Sequence, residues 1–127
     1  MSAPRELVFV YGTLRRGGSN HFRMDGAEPV TDGRICGKLY RISWYPGLVL
    51  DDAGDDIVGE VYSVDPEMLG NLDAFEGVSA GETQDSEYRR VQTTVTRADG
   101  ETLTAWVWEW LGAVEEAQRL AHGDWLA

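Results

Sequence analysis

The residues best suited to chemistry begin with a glycine-containing segment, YGTLRRGGSN, at positions 11–20. It follows an apolar run directly, and a glycine beside a strand end lets successive backbone N–H groups turn inward and form a concave anion site. Thr13 adds a hydroxyl donor, and Arg15 and Arg16 are adjacent cations in a chain that has few. Taken alone, the segment still fits an ordinary glycine-rich surface loop better than a binding site.

A carboxylate, Glu76, stands at the end of a predicted helix, between Phe75 and Gly77. The negative end of the helix dipole disfavours an ionised glutamate there, where Lys or Arg would be more stabilising. We therefore expect the pKa of Glu76 to lie above the usual range, which would make it a better base near neutral pH. A solvated glutamate without a chemical role is the common alternative.

Aromatic, histidine and cysteine side chains are weaker candidates. Tyr88 begins a predicted strand and has a hydroxyl that could reach a ligand, although aromatic residues at strand starts more often pack. Residues 106–110, WVWEW, place three indoles on one strand face, which is more typical of a core than of a binding platform. His21 and His122 are isolated and offer no metal-ligand spacing. Cys36 has no basic neighbour to activate it, so we expect a small core residue.

The composition argues against several function classes. The chain has 127 residues, and 11 Lys+Arg against 22 Asp+Glu give it a net charge of −11. Such an acidic chain repels phosphate backbones and anionic lipids, which disfavours nucleic-acid binding and a membrane-surface role. No apolar run approaches the roughly 20 residues of a spanning helix, and the start lacks the build of a signal peptide. One cysteine forms no internal disulfide, so we expect a cytoplasmic protein.

The elements that must position these residues are mainly strands. The fully apolar run 7–11 predicts a strand that is buried on both faces. Asp-Gly pairs at 32–33 and 99–100 indicate turns, and the second lies between two alternating runs, as in a hairpin. The other predicted strands lie near residues 34–42, 48–50, 57–62, 91–96 and 102–110.

Two stretches have helical periodicity. In the first, Asp65 is the predicted cap, Pro66 fits the first helical position and Gly77 ends the helix. The second runs from about residue 112 to 122. Since no linker or internal repeat separates these elements, residues 1–127 are expected to form one domain. Its predicted class is α+β, with a curled mixed sheet or a small barrel.

Several short fragments recur in a specific order along nearly the whole chain. The first is VYGTLR at 10–15, with Gly17 and Asn20 after it. The others are YPG at 45–47, GEVY at 59–62, LD at 72–73, FEG at 75–77, YRR at 88–90, AWVW at 105–108 and GDW at 123–125. Any one fragment is weak, but their order and spacing together are specific. In this the chain resembles the gamma-glutamylcyclotransferase-like superfamily, also called the AIG2-like group.

The resemblance implies a small mixed β-barrel with short flanking helices that uses no metal and no cofactor. It also implies a reaction in which a γ-glutamyl amide releases an amine while the glutamyl part closes into 5-oxoproline. The loop residues Tyr11, Gly12, Thr13 and Leu14 would bind the substrate, and Glu76 would be the catalytic acid/base.

The chemistry of such a substrate fits these roles. Backbone amides of the loop would hold the α-carboxylate or the developing oxyanion. Glu76 would take a proton from the α-ammonium, whose nitrogen then attacks the tethered γ-carbonyl, and would return the proton to the leaving amine. We further expect Arg15 to make a second contact to the carboxylate and Tyr88 to donate a hydrogen bond near the reacting centre.

Two alternatives use the same pocket. One is a non-catalytic module that binds a γ-glutamyl or other carboxylated metabolite, and the other is a different acyl chemistry, such as hydrolysis or cyclisation on a carrier. Glu76 favours catalysis, because a binding module needs no carboxylate beside a carboxylate-binding loop. The net charge of −11 disfavours an acidic carrier protein. Acidic residues in the segment 77–87 point to a cationic leaving amine, and we expect a monomer whose partner is the small-molecule substrate.

Overall fold

A computed structural model describes residues 5–76, 88–120 and 122–126. Helix α1 spans Pro66–Phe75, and short 3₁₀ segments lie at His21–Met24 and Glu116–Gln118. The strands are β1 (Glu6–Val10), β2 (Glu28–Arg41), β3 (Pro46–Leu50), β4 (Asp55–Val64), β5 (Tyr88–Arg97) and β6 (Thr102–Trp110).

The strands form a closed mixed barrel, which confirms the predicted fold class. They hydrogen bond in the order β3-β2-β4-β1-β6-β5, and a further pairing between β2 and β5 closes the ring. The β1–β6 pair is parallel, with Val8 opposite Trp106, whereas the other pairs are antiparallel. Strand β3 lies outside the five-stranded ring as an addition to β2. In this ring β1 lies between β4 and β6.

Strand β1 is buried on both faces, as its apolar run predicts. Successive side chains of a strand point to opposite sides. Phe9 belongs to the core cluster that the barrel strands share, together with Ile57 and Val61. Val8 and Val10 belong to a second cluster, which also contains Leu69 and Leu72 of α1. The exit of β1 is therefore fixed by packing on both sides.

Helix α1 begins as predicted. Asp65 is its N-cap and accepts the N–H of Met68 at 2.7 Å, with Pro66 in the first turn. Near the other end, Asp73 Oδ1 accepts the indole N–H of Trp108 at 2.8 Å and Arg90 Nε at 2.9 Å. These bonds tie the last turn of α1 to β5 and β6. The expected end at Gly77 lies outside the described residues.

Two predictions from local pattern are wrong. The described residues of the stretch 112–122 contain a short 3₁₀ segment in place of the expected helix, because this stretch is bonded to β2, with Leu120 N–H donating to Leu39 O at 2.9 Å. Asp32 and Gly33 are not a turn but lie inside β2. Gly33 pairs with both β4 and β5, and a Cβ there would approach Val95 Cγ1 to 2.6 Å. The absence of a side chain at position 33 lets β2 and β5 approach closely enough to pair and close the barrel.

Cys36 is exposed and is not the core residue that we expected. Its neighbour Ile35 is buried in the barrel core, so the alternation of β2 turns the thiol outward. The hairpin at residues 98–101 is confirmed, with Gly100 at a φ of 88°. None of the helices in the described residues has the length and apolar character that crossing a membrane requires.

Candidate active site

A cavity of about 150 Å³ lies at the exit of β1. One wall is the backbone of residues 11–14, which continues from β1, and another is the segment of residues 44–46 that leads into β3. Phe75 and Glu76 reach it from the end of α1, while Tyr88 and Trp108 reach it from β5 and β6. The closed barrel thus brings together residues that are far apart in sequence.

The wall formed by Gly12, Thr13 and Leu14 presents unpaired backbone donors. Within the described residues, none of their three N–H groups donates to an acceptor. The carbonyls of Gly12 and Thr13 are used inside the segment, accepting the N–H groups of Arg15 at 3.0 Å and Asn20 at 2.8 Å. Asn20 Nδ2 also donates to the Thr13 hydroxyl at 3.1 Å. Successive free N–H groups of this kind form an anion site.

The wall formed by residues 12–14, called the amide wall below, closely approaches the segment of residues 44–46 at Gly12. A Cβ on Gly12 would lie 2.6 Å from Pro46 Cγ and 2.9 Å from its Cδ. Pro46 is held in turn by Tyr88, whose hydroxyl donates to the Pro46 carbonyl at 2.7 Å. A side chain at position 12 would therefore force these two segments apart.

Glu76 is the C-terminal cap of α1 and lines the cavity, as its position after the helix predicts. Its backbone N–H donates to Leu72 O at 2.9 Å, which continues the helical pattern up to the carboxylate-bearing residue. Burial raises the pKa of the Tyr11 hydroxyl well above its usual value, and the charges of Tyr88 and Glu76 add to that rise. The carboxylate is thus close enough to Tyr11 to act on it electrostatically.

Two tyrosines predicted as substrate contacts have structural hydrogen bonds in the cavity wall. The Tyr11 hydroxyl donates to Trp108 O at 2.7 Å and accepts the N–H of Leu48 at 3.3 Å. Its hydroxyl therefore joins β6 to β3. Tyr88 packs edge-on against Trp110, with ring centroids 5.2 Å apart, besides its bond to Pro46. Both rings shape the cavity.

Arg15 is not brought to the cavity. Its Nε donates to Glu60 Oε2 at 2.6 Å and its Nη1 to Asp124 Oδ1 at 2.6 Å, with the side chain only 12% exposed. These two carboxylates engage the guanidinium, and neither of them lines the cavity. The expected contact of Arg15 with a substrate carboxylate does not fit this geometry.

The aromatic lining of the cavity was only partly foreseen. Trp108 is 2% exposed, which confirms a core position, and it also contributes to the cavity wall. Trp44 and Tyr45 line the opposite side, with ring centroids 4.9 Å apart, and Trp44 is 62% exposed at the mouth. The fragment YPG at 45–47 was the available signal, although it assigned no lining role. The acidic segment expected at the entrance, 77–87, lies outside the described residues.

No metal site accompanies the cavity in the part of the chain that the structure describes. Among those residues, no group of three or more His, Cys, Asp and Glu side chains could hold a metal ion. The polar groups of the described residues that line the cavity include backbone amides, the Thr13 hydroxyl, three tyrosines and one carboxylate. These groups can bind a carboxylate or an oxyanion and can transfer a proton.

Comparison with protein families and with known proteins gives matches along nearly the whole chain. The family model described as gamma-glutamyl cyclotransferase, AIG2-like, matches residues 8–127. A Vibrio cholerae protein named "Putative gamma-glutamylcyclotransferase" is 36% identical over 125 residues, which cover 95% of this chain and 96% of that protein. A gamma-glutamylcyclotransferase family protein of Escherichia coli is 32% identical over 122 residues, covering 94% and 95%.

Solved structures agree with the barrel fold. An uncharacterized protein from Pyrococcus horikoshii superposes with a TM-score of 0.70 at 30% identity, covering 94% of this chain and 89% of that one. An AIG2-like protein from Mus musculus gives a TM-score of 0.73 at 26% identity, covering 90% and 82%. The similarity in fold and the similarity in sequence therefore both extend over nearly the whole chain.

Proposed function

The chain belongs to the gamma-glutamyl cyclotransferase, AIG2-like family, and we propose that it cleaves γ-glutamyl amides into 5-oxoproline and a free amine. One observation carries the proposal: residues 12–14, whose N–H groups have no acceptor among the described residues, line the same cavity as Glu76. An anion site beside a proton acceptor is what a substrate with an α-carboxylate and an α-ammonium requires.

The amide wall holds the substrate. Its three N–H groups bind the α-carboxylate or the oxyanion that develops on the γ-carbonyl. Because these donors are backbone groups of a segment anchored to β1, they are oriented before the substrate arrives. Preorganised donors of this kind stabilise developing charge without reorganising during the reaction.

Glu76 moves the protons. It accepts one proton from the α-ammonium, and the freed lone pair forms a bond to the carbon of the γ-carbonyl group and closes the five-membered ring. The bond between that carbon and the amide nitrogen then breaks, and Glu76 returns its proton to the leaving nitrogen, which could not depart as an anion. The ring nitrogen gives up its second proton to the released amine, which leaves as an ammonium ion. Because the nucleophile is tethered to the carbonyl it attacks, ring closure gains from proximity, and no water is consumed.

The aromatic side of the cavity suits a reaction without water. Phe75, Tyr88 and Trp108 line it, and apolar walls disfavour the hydrolysis that would compete with ring closure. Trp44 lies at the mouth, and there we place the leaving amine. That this amine is cationic stays a prediction from the acidic residues Glu82, Asp85 and Glu87.

The test is a mass-spectrometric assay for 5-oxoproline with a panel of γ-glutamyl amides whose amines are acidic, neutral or basic. We compare the wild type with Glu76→Gln, which keeps the shape of the side chain but cannot accept the ammonium proton. Loss of a general acid–base group lowers turnover by about 10²- to 10⁴-fold. Glu67→Gln is the matched control, because Glu67 is an exposed residue in the first turn of the same helix.

Each outcome decides between functions. Production of 5-oxoproline by the wild type and by Glu67→Gln, with little from Glu76→Gln, supports the proposal and identifies the leaving amine. Full activity of Glu76→Gln removes Glu76 from the mechanism. Binding of the panel without any product indicates a binding module, and release of free glutamate indicates a hydrolase.

A further inference from the structure

Glu60 in β4 is a buried carboxylate that the proposed reaction does not use. It is 4% exposed and does not line the cavity. Burying a charge is costly unless the charge is paired and hydrogen bonded, so its partners indicate its role. Two of the three described partners belong to the chain directly after the amide wall, at Arg15 and Arg16, and the third is Tyr62.

The two oxygens of Glu60 divide between a side chain and a backbone group. Oε2 accepts Nε of Arg15 at 2.6 Å, and Oε1 accepts the backbone N–H of Arg16 at 2.8 Å. The Tyr62 hydroxyl completes the set at 3.4 Å from Oε1. Hydrogen bonds to an ionised acceptor are stronger than those between neutral groups. One barrel residue therefore fixes two successive residues of the loop.

We infer that Glu60 is a positioning residue, which holds the turn at Arg15 and Arg16 so that the N–H groups of residues 12–14 face the cavity. The segment 11–20 has no strand or helix ladder of its own, so its shape depends on bonds of this kind. What those N–H groups bind rests on the proposed function, whereas the anchoring itself does not. Arg15 is the link, since its Nη1 also holds Asp124.

Glu109 in β6 provides a matched comparison. It is 6% exposed, accepts Nε and Nη2 of Arg89 at 2.8 and 2.6 Å, and accepts the N–H of Leu50 at 2.8 Å. Like Glu60, it is a buried carboxylate bound to one arginine and one backbone N–H. Unlike Glu60, it makes no hydrogen bond or ion pair to the segment 11–20 among the described residues, and its charge acts on that segment only weakly, at Tyr11. Replacing each by glutamine makes the same chemical change at two places.

The experiment measures hydrogen exchange and turnover in Glu60→Gln and Glu109→Gln. The reporters are the N–H groups of Arg15, Arg16, Gly18 and Asn20, which are hydrogen bonded at the loop. Glutamine has one acceptor oxygen where glutamate has two and carries no charge, so Glu60→Gln loses one of these two bonds and weakens the other. We expect these amides to exchange about tenfold faster or more, and kcat/KM to fall by a similar factor. Glu109→Gln should leave both quantities within about twofold of the wild type.

Arg15 stays paired with Asp124 in Glu60→Gln, so the variant should fold. If it does not, Arg15→Lys keeps the positive charge but loses the fork of donors, and it should raise loop exchange to a smaller extent. The inference is overturned if a folded Glu60→Gln or Arg15→Lys exchanges like the wild type. It is equally overturned if Glu109→Gln changes the loop as much as Glu60→Gln. Absence of 5-oxoproline from the wild type refutes the proposed function, while the exchange comparison still decides the anchoring.

Discussion

Replacing Gly12 by alanine should displace one side of the cavity, and the structure gives the size of that displacement. The added Cβ would lie 2.6 Å from Pro46 Cγ, whereas ordinary contact begins at 3.4 Å, so the two sides must separate by about 0.8 Å. Pro46 is paired with Arg41 in β2 and bonded to Tyr88, and therefore the amide wall is the side that moves.

A displacement of this size is large for a catalytic site. A misplacement of about 1 Å can cost about 10²-fold in rate, so we expect kcat/KM of Gly12→Ala to fall by about 10- to 100-fold. Folding should suffer less, by about 1–3 kcal/mol, as for other overpacked positions. The assay is 5-oxoproline formation with the best substrate of the panel, combined with urea unfolding of the same samples.

Gly70 is the matched control for this substitution. It lies on α1, and a Cβ there meets nothing within 4 Å. Gly70→Ala should keep wild-type kcat/KM and gain up to about 1 kcal/mol of stability from helix propensity. Wild-type kcat/KM in Gly12→Ala would refute the reasoning, and so would an equal loss in Gly70→Ala.

Two further variants test the bonds that join the cavity wall to the barrel. Tyr11→Phe leaves the buried carbonyl of Trp108 and N–H of Leu48 unpaired, at a cost of about 1–3 kcal/mol in urea unfolding. Since burial raises the pKa of Tyr11, the unfolded chain ionises first, and wild-type stability should fall as pH rises above about 10, less steeply in Tyr11→Phe. Asp73→Asn weakens the bonds to Trp108 and Arg90 and should cost about 1–3 kcal/mol, so an unchanged urea midpoint would contradict the role given to Asp73.

Strands could be predicted from the sequence where the hydrophobic pattern fitted only one kind of element. The run 7–11 has no polar alternation because β1 packs on the barrel core through Phe9 and on α1 through Val8 and Val10. Residues 112–122 have helical spacing, yet those that the structure describes form no α-helix, because Leu120 hydrogen bonds to Leu39, 81 positions away in sequence. Local periodicity contains no information about such a partner. The turn predicted from the Asp-Gly pair at 32–33 was wrong for the same reason. Position 33 has a glycine because Val95, which is distant in sequence, leaves no room for a side chain there.

Some residues of the cavity could be predicted from the sequence, namely those at the end of a strand or a helix. Glycine after β1 and glutamate at the end of α1 are local signals, and both residues line the cavity. The expected role of Arg15 depended on which way the side chain points, and that is decided by Glu60 and Asp124, far away in sequence. Charge alone therefore suggested a ligand contact where the fold makes an internal ion pair.

The position of Arg15 outside the cavity has a chemical consequence for the proposed reaction. Among the described residues that line the cavity, none carries a positive charge. A guanidinium beside Glu76 would stabilise the ionised carboxylate and weaken it as a base. Backbone N–H groups bind an anion with partial charges, so they can hold the substrate carboxylate with less effect on the neighbouring acid. A site that must bind one carboxylate and take a proton with another is better served by amides than by arginine. The pairing of Arg15 with Glu60 and Asp124 orders the amide wall without placing its charge in the cavity.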